Sequence, residues 1–313
     1  MFSKRSVASY KAGVRRKQVF QNVMLAVIVL IFLSLLPVVY LRLRDRGGNE
    51  RRELQTLFES GAFDQSFAKS REMLNERPMD FFLLTVNGFS AYQLAISQIN
   101  TFDTLSYINN SIWSLRKAML LREGAADGRI FYVLGKAYYH KGPAHADLAV
   151  RYLGKARAAG FMAADIPEYL GLAYAALRDF RSSVNAFSLA LTGEGGGPSD
   201  VLFLSIARSY LGFNEFEPAK AYLNRSLEIS RDSRTRTTAR LLLGYILYQT
   251  GDFSGAEEEL LKLIDENGDN AEARYQLGVV YASMGDTTRA RAEWRRALRI
   301  DSAHGPSRNR LNL

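Results

Sequence analysis

The stretch Ala271–His304, AEARYQLGVVYASMGDTTRARAEWRRALRIDSAH, decides the fold, because Thr237–Asn270 repeats its pattern without a gap. In register, Leu277-Gly278 falls on Leu243-Gly244, Tyr281 on Leu247, Gly285-Asp286 on Gly251-Asp252, Ala290 on Ala256 and Trp294 on Leu260. A fixed period of 34 residues predicts stacked helix-turn-helix units, none able to bury its own apolar face alone. Arrays of this kind bind other chains far more often than they perform chemistry.

The same offsets recur upstream. Asp200–Ser233 carries Phe203, Ile206-Ala207, Tyr210, Ala219, Leu223 and Ser226, with Arg234-Thr235-Arg236 read as a short insert before the next unit. Ala164–Gly197 carries Leu170-Gly171, Tyr174, Phe187 and Ala190; Gly128–Ala163 carries Phe131, Leu134-Gly135, Tyr138 and Gly142, then two extra residues before Ala149, Leu153 and Ala156. Each marker has a steric purpose. Gly or Ala at the eighth position lets the second helix approach, the small residue at the twentieth does so from the other side, and the large side chain at the twenty-fourth fills the gap. Gly-Asp near the fifteenth ends one helix and starts the turn.

These positions resemble the tetratricopeptide repeat family, whose pattern runs W-x2-L-G-x2-Y, then A-x3-F, then P. The last unit matches through Leu277, Gly278, Tyr281, Ala290, Trp294 and Ala297, with Arg274 in place of the usual Trp and Ser302 in place of Pro. The resemblance implies an all-α, right-handed α-solenoid of five units at 128–163, 164–197, 200–233, 237–270 and 271–304. Residues 51–127 read as degenerate or enlarged pairs: a partial one over Arg52–Arg77, then Met79–Asp127 with a loop at Ile99–Thr104.

The formal charge of +9 sits almost wholly in residues 1–46, where nine Lys/Arg face the single acid Asp45, so the repeats are nearly neutral and carry no polyanion-binding footprint. Only the last unit is locally basic, through Arg289, Arg291, Arg295, Arg296 and Arg299; a solvated helix face and a patch for an acidic partner both fit. Between Lys17 and Arg42 lies an uncharged run of 24 residues, 18–41, long enough as a helix to cross a hydrocarbon core of about 30 Å. It exits through Leu-Pro-Val-Val-Tyr-Leu-Arg, with no small-x-small cleavage site, which favours an uncleaved signal anchor over a signal peptide. The expected order is a basic cytoplasmic tail (1–17), the membrane helix (18–41), a linker (42–50) containing Gly47-Gly48-Asn49, and then the repeats. A tail with six Lys/Arg and no acid crosses poorly. This places the repeats outside the cytoplasm, in the periplasm of a bacterium whose inner membrane holds the anchor.

With no cysteine, disulfides, thiol catalysis and thiolate zinc are excluded. His140, His145 and His304 lack metal-ligand spacing, no nucleophile elbow or dinucleotide fingerprint occurs, and Gly193–Pro198 is a joint between units without the Lys-Ser/Thr of a phosphate loop. No enzyme activity, cofactor or metal is expected.

In the family, first helices line a concave groove through their second, fifth, ninth and twelfth positions. Carried over, these are Tyr132, Lys136 and Tyr139, then Glu168 and Leu172, Leu204 and Arg208, Leu241, Tyr245 and Tyr248, and Tyr275 and Val279. The set is aromatic and aliphatic, and it lacks the Asn residues with which relatives clamp a terminal carboxylate. It suits an amphipathic helix or extended segment, and packing between units is the competing role for each side chain. After His304 only GPSRNRLNL (305–313) remains to close the array: either Leu311 and Leu313 fold back as a lid, or the end surface docks onto another copy. The expected protein is a membrane-anchored adaptor for a cell-envelope assembly (secretion, cell-wall synthesis or a flagellar-motor collar). A periplasmic chaperone for peptides and a solute-handling accessory with a ligand in the groove are the alternatives.

Overall fold

A computed structural model describes residues 48–97, 101–121, 127–193 and 198–313. The tail, the apolar run 18–41, most of the linker and residues 194–197 of the glycine-rich joint lie outside the described residues. Among the described residues there is no strand, and no helix is long and apolar enough to cross a membrane. Among the described residues, fifteen α-helices follow one another, mostly in antiparallel pairs: α1 (48–59) with α2 (Phe63–Glu76), α3 (Phe81–Ser97) with α4 (Thr101–Leu121), and α5 (Gly128–Lys141) with α6 (Ala146–Ala158). Then come α7 (Ile166–Ala176) with α8 (Phe180–Thr192), α9 (Asp200–Leu211) with α10 (Phe216–Ile229), and α11 (Ser233–Gln249) with α12 (Phe253–Glu266). The array ends in α13 (Ala271–Ser283) with α14 (Thr287–Ile300) and a short α15 (Gly305–Leu311).

The last full pair shows how local sequence makes a unit. Leu277, Val280 and Tyr281 face inward from α13. Gly285 takes φ +85°, a backbone state that a Cβ disfavours, and so turns the chain. Asp286 then caps α14, its carboxylate accepting from the Arg289 amide at 2.8 Å. From α14, Ala290, Trp294 and Ala297 return against α13. The approach is tight at the eighth position: a Cβ on Gly278 would strike the Trp294 ring, and one on Gly171 would lie 2.5 Å from Phe187. Gly251, at φ +83°, and Asp252 repeat the same turn one unit earlier.

First helices of successive pairs touch from α3 to α13, whereas second helices make no comparable contact with one another. The first helices therefore form the inner layer of a curved stack. One buried cluster runs from Leu204 of α9 to Leu311 of α15, so the C-terminal units share a continuous core.

Several local expectations are corrected. Gly48, Asn49 and Glu50 are helical and open α1, so the linker is shorter than 42–50. Thr101–Thr104 are not loop but the first turn of α4. Arg52–Arg77 is no fragment: α1 and α2 are both helices packed under α3 through Leu54, Met73 and Leu83. Arg234–Arg236 are not a spacer; they form the opening of a longer α11, whose start is fixed by the Asp232 carboxylate accepting from the Thr235 amide at 2.8 Å. The two extra residues before Ala149 are taken up by the 3-10 turn Pro143–His145. The chain end is not left bare either: His304 caps α15, Ser307 is buried, and Leu311 joins the core while Leu313 stays exposed. The alternative of an open end docking onto another copy thus loses its premise, because α15 already packs over the last unit.

Candidate functional site

The residues carried onto the inner layer separate into two clusters and a run between them. In the first cluster, the Lys136 ammonium of α5 lies 4.9 Å from the Tyr132 ring centroid, 4.6 Å from that of Tyr169 and 5.7 Å from that of Tyr92. It donates to the Asp165 carboxylate at 2.7 Å and to the Tyr132 hydroxyl at 3.0 Å. The Tyr132 hydroxyl in turn donates to Asp165, 2.8 Å from each oxygen. Asp165 precedes α7 but gives no side-chain cap; its oxygens are committed to Lys136 and Tyr132. Tyr139 and Tyr169 meet edge to face at 5.3 Å, and His140 reaches the Tyr169 hydroxyl at 3.2 Å.

Burial raises every phenol here above the ordinary tyrosine range. Tyr132 is pushed further by its bond to Asp165, and Tyr139 by the nearby Glu168 carboxylate. Burial first, and the Lys136 charge second, lower the His140 imidazole. The result is a ring of neutral aromatics around one paired ammonium. This cation box is filled by the protein's own lysine and cements α3, α5 and α7.

The second cluster is open. Between α11 and α13 lies a recess of about 230 Å³ with walls of Tyr245, Tyr248, Tyr275 and Val279 and a floor of Gly244 and Leu260. Tyr245 is 42% exposed. Gln276 donates to Glu272 at 3.0 Å, and Glu272 also meets the His304 imidazole at 3.2 Å. The carboxylate requires the amide NH2 on its side, so the Gln276 Oε1 atom faces away, buried and without a hydrogen-bond partner. The tyrosine walls suit a segment that brings apolar side chains.

Between the clusters, Leu204 is core, Leu172 and Leu241 pack on neighbouring core clusters, and Glu168 is half-buried. Arg208 is exposed. The offset template thus brings Tyr245, Tyr248, Tyr275 and Val279 together around a recess, puts Tyr132, Lys136 and Tyr139 into a closed contact, and scatters the rest. It misses Tyr169 and Gln276, at the sixth position of their units, while Asp165 stands at the second position, from which no residue was carried over. Pairing Lys136 with an acid one unit on would have pointed to Asp165; nothing in the sequence marks Gln276. Among the described residues no group of three or more His, Cys, Asp or Glu could hold a metal ion.

Fold and inner face together define a helical-repeat solenoid that presents a docking surface. The tetratricopeptide repeat family profile matches residues 204–266 and 241–304. Among solved structures, the C-terminal part of a tetratricopeptide repeat-containing protein from Cytophaga hutchinsonii is similar, with a TM-score of 0.60 and 14% identity, covering 84% of this chain and all of that one. PilW, a type IV pilus biogenesis factor, gives a TM-score of 0.56 and 16% identity over 72% of this chain and 98% of its own. The pilF protein of Pseudomonas aeruginosa gives 0.52 and 14% over 72% and 96%. At these identities the likeness is one of fold. Comparison with curated proteins gives no match.

Proposed function

We propose that this chain is a membrane-anchored adaptor: residues 18–41 hold it in a bacterial inner membrane, and its repeats dock one protein of an envelope assembly from the periplasmic side. The uncharged run of 24 residues behind a basic tail supports the anchor and its orientation. The observation that carries the docking role is the tyrosine-walled recess between α11 and α13, with Tyr245 exposed at its rim. Tyrosines add contact area at small cost in side-chain entropy.

A photocrosslinking side chain at Tyr245 of the full-length chain, activated in its native membrane, tests this. The adaptor predicts capture of one or a few proteins, and Tyr248→Ala, which removes one wall of the recess, weakens that capture. Capture of many unrelated unfolded chains would make the protein a peptide chaperone instead. Capture of no protein at all would end the docking assignment.

A further inference from the structure

The outward face of α4 differs from those of the other second helices. Its inner face buries Ile108, Ile112, Leu115 and Ala118 together with Ser111 and Ser114. Its outer face carries an apolar stripe: Leu105 is 39%, Trp113 58% and Leu120 70% exposed, with exposed Phe102 on the same side. At 100° per residue these four fall within one narrow stripe, with Asn109 and Arg116 between them. The corresponding faces of α6, α12 and α14 are charged, with Arg151 and Lys155 on α6, Glu258, Lys262 and Asp265 on α12, and Arg291, Arg295 and Arg299 on α14. The protein has two tryptophans; Trp294 is core, and Trp113 is the one in solvent.

Beside Trp113, between α2 and α4, lies a cleft of about 580 Å³. Its lining includes Arg71, Asn75, Asn109 and Lys117 and holds no carboxylate. Neither Arg71 nor Lys117 has an ion pair among the described residues, and the Lys117 ammonium rests 4.7 Å from the Trp113 ring centroid. Trp and Leu flanked by Arg, Lys and Asn are what a helix carries when it lies at the boundary of acyl chains and headgroups. The chain supplies a further reason. The uncharged run ends at Leu41 and α1 is under way at residue 48, so the residues between reach at most about 20–25 Å even when fully extended. That tether holds α1–α4 next to whatever surface the run is embedded in.

We infer that the outer face of α4 rests in the headgroup region of the bilayer, with an anionic lipid phosphate in the cleft between Arg71 and Lys117. This rests on the membrane-anchored reading above. The inner layer is left free for a protein partner, since first and second helices lie on opposite sides of the stack.

The test is tryptophan fluorescence of the full-length chain reconstituted into vesicles of phosphatidylcholine and phosphatidylglycerol, with or without bromine on the acyl chains. Flotation of the same vesicles is followed in parallel. The expected result is loss of emission on bromination, with Trp113→Phe removing the bromine-sensitive part and leaving that of buried Trp294. In Arg71→Gln/Lys117→Gln the quenching falls in vesicles containing phosphatidylglycerol and is unchanged in pure phosphatidylcholine. Vesicles that carry the chain but leave Trp113 unquenched overturn the inference and leave the anchor standing. Emission insensitive to bromine but dependent on protein concentration assigns the stripe to a second copy and overturns it too. A chain that does not float overturns the anchor, and this inference falls with it.

Discussion

The two ends of the stack solve the burial problem in opposite ways. From α9 to α14 the interior is mainly apolar and close-fitting, with Leu243, Leu260, Leu277 and Trp294 set against Ala207, Ala256, Gly278 and Ala290, Ser209, Ser226 and Glu293 being buried polar exceptions, and the outward faces of α12 and α14 are largely charged. From α2 to α4 the interior carries a polar chain. The Ser66 and Ser90 hydroxyls meet at 2.9 Å, Asn87 Nδ2 donates to Ser70 Oγ at 2.9 Å, and Ser114 Oγ donates to Asn87 Oδ1 at 2.8 Å. All five side chains are buried, while Leu105, Trp113 and Leu120 face outward. One end stacks; the other stacks and also offers an apolar exterior. An inverted pattern of this kind marks a segment shaped by something besides its own unit.

The sharpest way to break the contrast is at the close approach in α13. Gly278→Val places a Cβ against the Trp294 ring and 3.0 Å from the Ala290 carbonyl oxygen, where backbone cannot yield. It also disturbs the bond from Trp294 Nε1 to the Tyr275 carbonyl. The expected loss is about 3 kcal/mol or more, read as a lowered midpoint in chemical denaturation, with protection from hydrogen exchange lost first across α13–α15. Loss confined to α1–α4 would show that the units do not share load as the continuous core implies.

Next in size is the polar interior. Asn87→Ala takes the acceptor from the buried Ser114 hydroxyl and a donor from Ser70, which keeps only its bond to the Phe67 carbonyl, for a loss of about 1–3 kcal/mol. Hydrogen exchange should localise the weakening to α2–α4 and leave α9–α14 protected. A uniform loss along the chain would instead mean that the array unfolds as one block.

A third substitution works in the stabilising direction. The α7–α8 turn places Arg178 at φ +61°, where the matching turns at 251 and 285 use glycine. Arg178→Gly relieves a left-handed strain of roughly 1–2 kcal/mol, against a larger unfolded-state entropy for glycine, for a net gain of about 0.5–1 kcal/mol. Thermal denaturation measures it, and a lower midpoint would show that the Arg178 side chain stabilises the turn by more than its backbone strain.

How much of this was legible depends on which force sets each position. Close packing writes itself into sequence: Gly278 under Trp294, Gly171 under Phe187 and Asp286 after Gly285 are forced by sterics and capping, so the period was readable without coordinates. At the amino end Gly88 and Tyr92 keep the pattern, but Asn87, Ser90 and Ser114 satisfy one another through contacts 17–27 residues apart, and no local rule reports such a pairing. The groove was half legible. Offsets found the walls of the recess in Tyr245, Tyr248, Tyr275 and Val279, because a helix face follows from its period. They could not tell an open tyrosine from a sealed one: Tyr132 has the same offset as Tyr275, and only Asp165 from the next unit closes it around Lys136. Gln276 escaped because its significance is an absent partner.

The smallest expected effect separates stability from purpose most cleanly. Trp113 and Leu120 are more than half exposed and touch the outside of α4, so replacing both with glutamine removes little buried area. The folded chain should keep its stability within roughly 0.5 kcal/mol, with α3 and α4 as protected as before. A core residue of the same helix such as Leu115, fully buried, costs about 2–5 kcal/mol on truncation to alanine. If the double glutamine variant instead proves as damaging as Leu115→Ala, the outer stripe is part of the packing of the array and α4 is merely a larger second helix. If stability holds, those apolar side chains are doing nothing for the fold, and leaving them in water needs a reason outside it.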